Sequence, residues 1–317
     1  MEDAIVIGGG VAGLAAATWL GRYRRRTLVL NDGDRRNSAA RQSHGYLTRD
    51  GVSPNELIAA AHADLDRYVT VDSRSARVTA LRRDGERFVV TADGVDIVAQ
   101  RLVLATGVVD EVPDIAGFDE LYGIAAFHCP CCDGFEAVDQ HVLAIGWGEH
   151  TAGYALDLLD WGAKVTIVTD GREFEGGDNC LRVLDRHDVE VTQESVLELL
   201  RDGDRMLGGR LSNGATVDAT MAFFTIAHHP RTELAEQLGC ELDGDGYIAV
   251  GDHGETSVEG VYAVGDVTPG EQLVQTAAAS GAVAGIACAM SLRGKATAPG
   301  APDPGPHPEA ELAAADG

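Results

Sequence analysis

The 317-residue chain carries 50 acidic against 25 basic residues, a formal net charge of −25, and its only lysines are Lys164 and Lys295. Such a surface is repelled by phosphates, which argues against nucleic acid or an anionic membrane as partner. The length predicts roughly two domains, and no stretch approaches the ~20 apolar residues of a membrane span.

The N-terminus, MEDAIVIGGG, lacks the basic segment and cleavage pattern of a signal peptide, so a cytoplasmic protein is expected. In that compartment a Cys-x-x-Cys pair is catalytic or metal-binding rather than a structural disulfide. AIVIGGGVAGLAAATWLG reads as a buried strand, Ala4 to Ile7, a glycine turn and an Ala/Leu-rich helix. Gly8, Gly10 and Gly13 form G-x-G-x-x-G: the first makes the turn, the second admits a pyrophosphate, the third lets helix pack on strand. Asn31 and Asp32, after the next apolar strand, supply acceptors for an adenosine ribose.

The segment from Val69 to Val109 alternates like antiparallel strands. HCPCCDGFE follows, with Cys129 and Cys132 in Cys-x-x-Cys spacing and Cys131 between them. A zinc site would need two further ligands at matching spacing, and Cys180, Cys240 and Cys288 stand alone, so no metal is expected. An inert core strand fits poorly with Pro130, Asp133 and Gly134, which suit a turn; a redox pair activated by a short helix starting at the second cysteine is preferred.

QHVLAIGWGEHTAGYALDLLDWG repeats the strand-turn-helix plan, with strand Val142 to Ile145 and a helix through Leu159. Here Thr151 replaces the third glycine and Glu149 puts a carboxylate where phosphates would sit. GVYAVGD ends a late strand in Gly265-Asp266, before a small-residue helix beginning near Gln272; its Asp can accept from ribityl hydroxyls and the helix start faces charge on a reduced isoalloxazine. The tail from Lys295 is rich in Pro, Ala and Gly, acidic, and expected to be flexible.

The order GGGVAG, ATG, CPCCDG, GWGEHTA, TSVEGVYAVGDV resembles the low-molecular-weight thioredoxin reductase family from Ile5 to about Leu292. The resemblance implies an α/β fold of two Rossmann-like, three-layer ββα domains. Residues 1–114 and 245–294 would form a discontinuous FAD domain. Residues 115–244 would form an inserted NAD(P)-type domain carrying the Cys-x-x-Cys, with 295–317 as tail. It also implies FAD as cofactor and a homodimer. Besides the glycines, Asn31, Asp32 and Asp266, it implies FAD contacts from Ala12, Arg36, His44, Gly45, Val78, Thr106, Gly107, Gln272 and Leu273. Cys132 would face the flavin, Cys129 would meet the substrate, and Asp133 would handle the proton.

Family members that use NADPH carry a basic cluster after the second module's second strand to hold the 2′-phosphate. This chain has VTIVTDGREFEGG, with Asp170 repelling that phosphate and Arg172 alone opposing it. NAD(P)H use is therefore doubtful: Asp170 still leaves an acceptor for an NADH ribose, but a module kept for packing alone ranks above NADPH use. Losing the reductant while keeping FAD and the pair points electrons the other way. The HCPCCDGFE and RRNSAARQSHGYLTRDG stretches resemble the thioredoxin reductase-like dithiol oxidases that close disulfides in natural products such as holomycin, gliotoxin and FK228. The expected partners are a small-molecule dithiol and dioxygen. Several members of that branch carry His where Asp133 stands, so the thiol's base is open between Asp133 and His128, with His44 and His150 remoter. The rivals are an NAD(P)H-dependent disulfide reductase and a flavin-bearing redox sensor without turnover.

Overall fold

The computed structural model describes residues 1–294; the tail from residue 295, expected to be flexible, lies outside the described residues. In chain order come β1 (Glu2–Ile7), α1 (Val11–Arg22), β2 (Thr27–Asn31), α2 (Pro54–Leu65), β3 (Val71–Ser75), β4 (Val78–Asp84), β5 (Arg87–Ala92), β6 (Val95–Leu104) and β7 (Val108–Glu111). Next are α3 (Phe118–Leu121), β8 (Ala126–Phe127), α4 (Pro130–Asp133), β9 (His141–Ile145), α5 (Thr151–Asp157), β10 (Lys164–Val168), α6 (Gly177–Arg186) and β11 (Glu190–Thr192). The last are β12 (Val196–Asp202), β13 (Arg205–Leu211), β14 (Thr216–Val217), β15 (Met221–Phe224), β16 (Ala227–Pro230), α7 (Glu233–Leu238), β17 (Val261–Ala263) and α8 (Val274–Met290). Two compact units result. The first is Met1–Arg36, Asn55–Val109 and the chain from Pro230; the second is Asn37–Pro54 and Asp110–His229.

The first unit is built on one sheet in the order β3-β2-β1-β6-β5-β4, with β17 also on β6. β6 does two jobs. Val95 to Ala99 pair antiparallel with β5, while its later residues pair parallel with β1 and β17. The alternation of β1 feeds two core layers: Ile5 and Ile7 join Leu28, Phe88, Leu102 and Ala235, whereas Ala4 and Val6 join Leu14, Leu20, Val103 and Cys288 from the helical side. α1 and α8 touch backbone to backbone; a Cβ on Gly281 would lie 2.1 Å from Ala12 O and one on Gly285 2.6 Å from Ala16 O.

The second unit repeats this plan on fewer strands. Its parallel sheet runs β11-β10-β9-β15-β8, and β12, β13 and β14 form an antiparallel meander. Leu143 and Ile145 face a layer with Phe118, Val196, Leu199 and Met206; Val142 and Ala144 face one with Ala155, Leu158, Ile167 and Leu184.

The α/β class and the doubled strand-turn-helix plan are as expected. One detail differs: β3 is parallel to β2, and only β4, β5 and the start of β6 run antiparallel. Residues 72–75 of β3 are exposed, so its alternation records an edge strand and not a half-buried face. The second module's helix ends at Asp157 and tightens into a 3₁₀ turn, Leu158–Asp160. Among the described residues no helix is long and apolar enough to cross a membrane.

Candidate active site

Cys129 and Cys132 are joined as a disulfide, with Cα atoms 5.2 Å apart. The short helix α4 begins at Pro130, with Cys129 as its N-cap, not at the second cysteine as the sequence suggested. The reason is local: proline with its fixed φ suits the first helical position, and Cys129 stays extended before it. The amide of Cys132 donates to Cys129 Sγ at 3.2 Å, and the amide of Asp133 to Cys129 O at 3.0 Å. Negative charge arriving on Cys129 therefore meets an amide already aimed at it. Gly134 closes the turn because the Trp161 ring covers it; a Cβ there would lie 2.6 Å from the indole. Cys131 is exposed and free.

Burial pushes the Asp133 carboxyl up to about 7, with His44 opposing the rise and Glu136 adding to it. His44 Nε2 lies 3.4 Å from Glu136 Oε1 and its Nδ1 3.6 Å from Asp50 Oδ1. His44 and Gly45, expected to contact the cofactor, belong to the segment of the second unit that carries this array. The other Glu136 oxygen is shielded from solvent and has no hydrogen-bond partner among the described residues. His128, the second candidate base, sits between Tyr122, whose hydroxyl is 3.3 Å from Nδ1, and Asp110, 4.0 Å from Nε2. Tyr154 donates to the carbonyls of His128 and Phe224; burial first, then Asp133, raises its hydroxyl and keeps it protonated. His150 is exposed in the second glycine loop. Sequence reading gave no role to Glu136, Asp50, Tyr154 or Trp161. Glu136 alone had a local signal, three residues past Asp133.

The first glycine loop fits a dinucleotide diphosphate. Gly8 has φ +115° and a Cβ there would lie 2.1 Å from Ala105 O; one on Gly13 would lie 2.0 Å from Gly8 O. A Cβ on Gly10 would meet nothing within 4 Å, so open space stands beside the start of α1. That helix has no side-chain cap and no acidic residue in its first turn, leaving its amides for an anion. Asn31 packs on Gly9 and accepts from Gly33 N, while Asp32 accepts from Asp34 N. Arg36 Nη1 binds Asp266 at 3.0 Å and Gln272 at 2.6 Å, which ties the loop after β2 to the turn after β17. Arg35 Nε, which sequence reading passed over, is buried without a partner among the described residues. A Cβ on Gly265, at φ +72°, would meet Ala12 Cβ at 2.7 Å, so the late turn sits directly on α1. Leu273 caps α8, Thr106 Oγ1 donates to Arg231 O, Gly107 has φ +67°, and Val78 opens β4. All these residues lie in the first unit.

The second loop is built differently. α1 starts at Val11, directly after the second glycine, whereas α5 starts at Thr151, so Glu149 and His150 lie outside the helix. α5 is also shorter, 7 residues against 12. Thr151 is fully buried, its Oγ1 has no hydrogen-bond partner among the described residues, and a Cβ on Gly146 would come 2.9 Å from it. Glu175 donates its amide to Trp147 O and lays its carboxylate 3.9 Å from the Cβ position of Gly148. Arg172, the one cation offered for a 2′-phosphate, stacks 3.8 Å from the centre of the Trp147 ring. Asp170 Oδ1 accepts from the Val196 amide at 3.0 Å.

Comparison with known proteins agrees with this architecture. The pyridine nucleotide-disulphide oxidoreductase family matches residues 2–281. "Thioredoxin reductase sirT" of Leptosphaeria maculans is 30% identical over 89% of this chain and 92% of its own. The crystal structure of HlmI superposes with a TM-score of 0.88 at 33% identity, covering 99% of this chain and 95% of that one. An oxidoreductase from Agrobacterium tumefaciens gives 0.82 at 35% identity, covering 92% and 98%. Thioredoxin reductase-like proteins use FAD, which the first loop fits. A disulfide in a capped turn, a diphosphate cradle and the match along nearly the whole chain agree: it belongs to the pyridine nucleotide-disulphide oxidoreductase family, as a thioredoxin reductase-like enzyme acting on sulfur groups.

Proposed function

We propose that the protein is an FAD-dependent dithiol oxidase that closes an intramolecular disulfide in a small-molecule, natural-product-type dithiol. The observation that carries this reading is the second glycine loop. Its helix begins two residues late, Glu149 lies exposed in the loop, Glu175 lays a carboxylate beside Gly148, and Arg172 is stacked on Trp147. A dinucleotide with a 2′-phosphate on its ribose would meet a helix start set back from the second glycine and an Arg172 already stacked on Trp147. The electrons then enter through sulfur. The substrate class follows from the likeness of the redox and His44-containing stretches to the dithiol oxidases.

The thiol chemistry belongs to the chain's own residues. Asp133 takes the proton of the first substrate thiol, and that sulfur bonds to Cys129 as the Cys129–Cys132 bond breaks and Cys132 leaves as thiolate. The second substrate thiolate attacks the substrate sulfur of this mixed disulfide. Cys129 departs as thiolate, met by the Cys132 amide, and the substrate leaves two electrons poorer as a cyclic disulfide. The cradle at Gly8, Gly10 and Gly13 would hold the diphosphate of FAD, and that cofactor would supply the two-electron acceptor that returns the Cys129/Cys132 dithiol to the disulfide, with dioxygen as final acceptor giving hydrogen peroxide. The enzyme would work as a cytoplasmic homodimer.

The name of the relatives, thioredoxin reductase, favours the opposite direction, and one experiment separates the two. Purified holoenzyme is mixed without oxygen with NADH, NADPH or a dithiol while the flavin band is followed. Bleaching by dithiol alone is expected; rapid bleaching by either nicotinamide would make it a reductase. Slow reoxidation by air with no catalytic peroxide would instead indicate a redox sensor.

A further inference from the structure

Each turnover takes protons from two substrate thiols beside a turn where Asp133 is half-buried, so a route to water is needed. The structure holds a row of side chains suited to it. Glu136 comes from the turn after α4, and its Oε1 faces His44 Nε2 at 3.4 Å. The other imidazole nitrogen faces Asp50 Oδ1 at 3.6 Å, and Asp50 is 74% exposed against 20% for His44. The loop is fixed for the purpose: Ser43 and Val52 pair as a β-bridge, Gly45 turns at φ +73°, and its amide binds Asp50 Oδ1 at 2.8 Å. Glu136 Oε2 is sheltered without a hydrogen-bond partner among the described residues, an acceptor left over for a transferable proton.

We propose that Glu136, His44 and Asp50 form a proton relay that connects Asp133, beside the redox disulfide, to solvent. His44 is a positioning and relay residue here, receiving a proton at one ring nitrogen and releasing one from the other. The proton lost by the substrate S–H as the new S–S bond forms passes from Asp133 to Glu136, through His44 to Asp50, and then to water. No oxidant beyond the enzyme disulfide is needed for that step. The charged and titratable groups facing Asp133 are His44 and Glu136, with Tyr154 close enough to feel its charge; those facing His44 are Asp50, Glu136 and Asp133. The relay presupposes that Cys129–Cys132 exchanges with a dithiol, as proposed above.

Two readouts on the holoenzyme, in a Cys131→Ser/Cys180→Ser background in which the remaining free thiols, Cys240 and Cys288, are buried so that labelling reads the pair, decide it. The first is the pH dependence of thiol alkylation after chemical reduction; the second is anaerobic flavin bleaching by dithiothreitol. His44→Gln should move the inflection of the alkylation profile to higher pH, because the cation that opposes Asp133's rise is gone. It should slow bleaching about tenfold at neutral pH, and added imidazole should restore the rate of His44→Ala. An unchanged alkylation profile in His44→Gln overturns the relay, as does a slow His44→Ala that imidazole does not rescue. If wild type is not bleached by dithiol, the oxidase reading fails, and the alkylation profile alone still decides the relay.

Discussion

Asp133 shows how one side chain couples chemistry to stability. Its ordinary value is 3.8 and burial pushes it up to about 7, so the folded state holds the proton more tightly than the unfolded chain. The stability this contributes is complete below the ordinary value and is lost as pH rises through the folded one. At about 1.4 kcal/mol per pH unit, the whole span is worth a few kcal/mol at most. Asp133→Asn cannot ionise, so its melting temperature should gain on wild type on the alkaline side of neutrality and show no gain in acid; parallel melts across pH check this. The same variant should lose the dithiol reaction. Cys129→Ser and Cys132→Ser should each keep FAD, seen in the visible spectrum, and produce no peroxide from dithiol; full turnover in either would remove the sulfur relay. Gly10 offers a sharper test of the cofactor cradle. Its φ of −76° suits alanine and a Cβ would strike nothing, so Gly10→Ala should melt like wild type when stripped of flavin. Yet it should bind FAD roughly tenfold more weakly, about 1.4 kcal/mol, because the diphosphate needs that space.

At the level of elements, contrasts between similar pieces carry the information. α1 and α8 approach so closely that Gly281→Ala must push them apart, at a cost of about 1–3 kcal/mol in denaturant melts. Thr151→Val in α5 should do the reverse. It removes a buried hydroxyl with no partner among the described residues while keeping the shape, for a gain on the order of 1 kcal/mol. Both glycine modules were legible in the sequence because strand, turn and helix follow one another within a few residues. Thr151 and Glu149 marked the second as odd for the same reason. The late start of α5, and the stacking of Arg172 on Trp147, were not legible: they depend on which contacts the loop settles into once packed. The expected start of α4 failed on a smaller point, since Pro130 was read only as a turn residue and not as a helix opener.

For the whole chain, the excess of acid sets a background against which every local term acts. A net charge of −25 repels itself, and salt screens that repulsion, so the melting temperature should rise on going from low to moderate sodium chloride; a fall would mean that specific ion pairs dominate. The order of motifs along the chain suggested a discontinuous first domain, 1–114 with 245–294. It could not reveal that residues 37–54 pack with the second unit. That placement rests on contacts distant in sequence, such as the Arg41 amide on Gly123 O and Gly123 pressed against the backbone of Ala39. The neighbourhood of His44 with Glu136 was hidden for the same reason, since the two are brought together only by this packing.

The covering of Gly134 by Trp161 has an optical side. The chain has three tryptophans: Trp19 in α1, Trp147 under Arg172, and Trp161 against the glycine that follows the redox turn. Replacing two of them with phenylalanine leaves a single fluorophore at a known post. A Trp161-only protein turns opening and closing of the neighbouring sulfur bond into a change of emission, and a Trp147-only protein reports separately on anything that displaces the guanidinium above it.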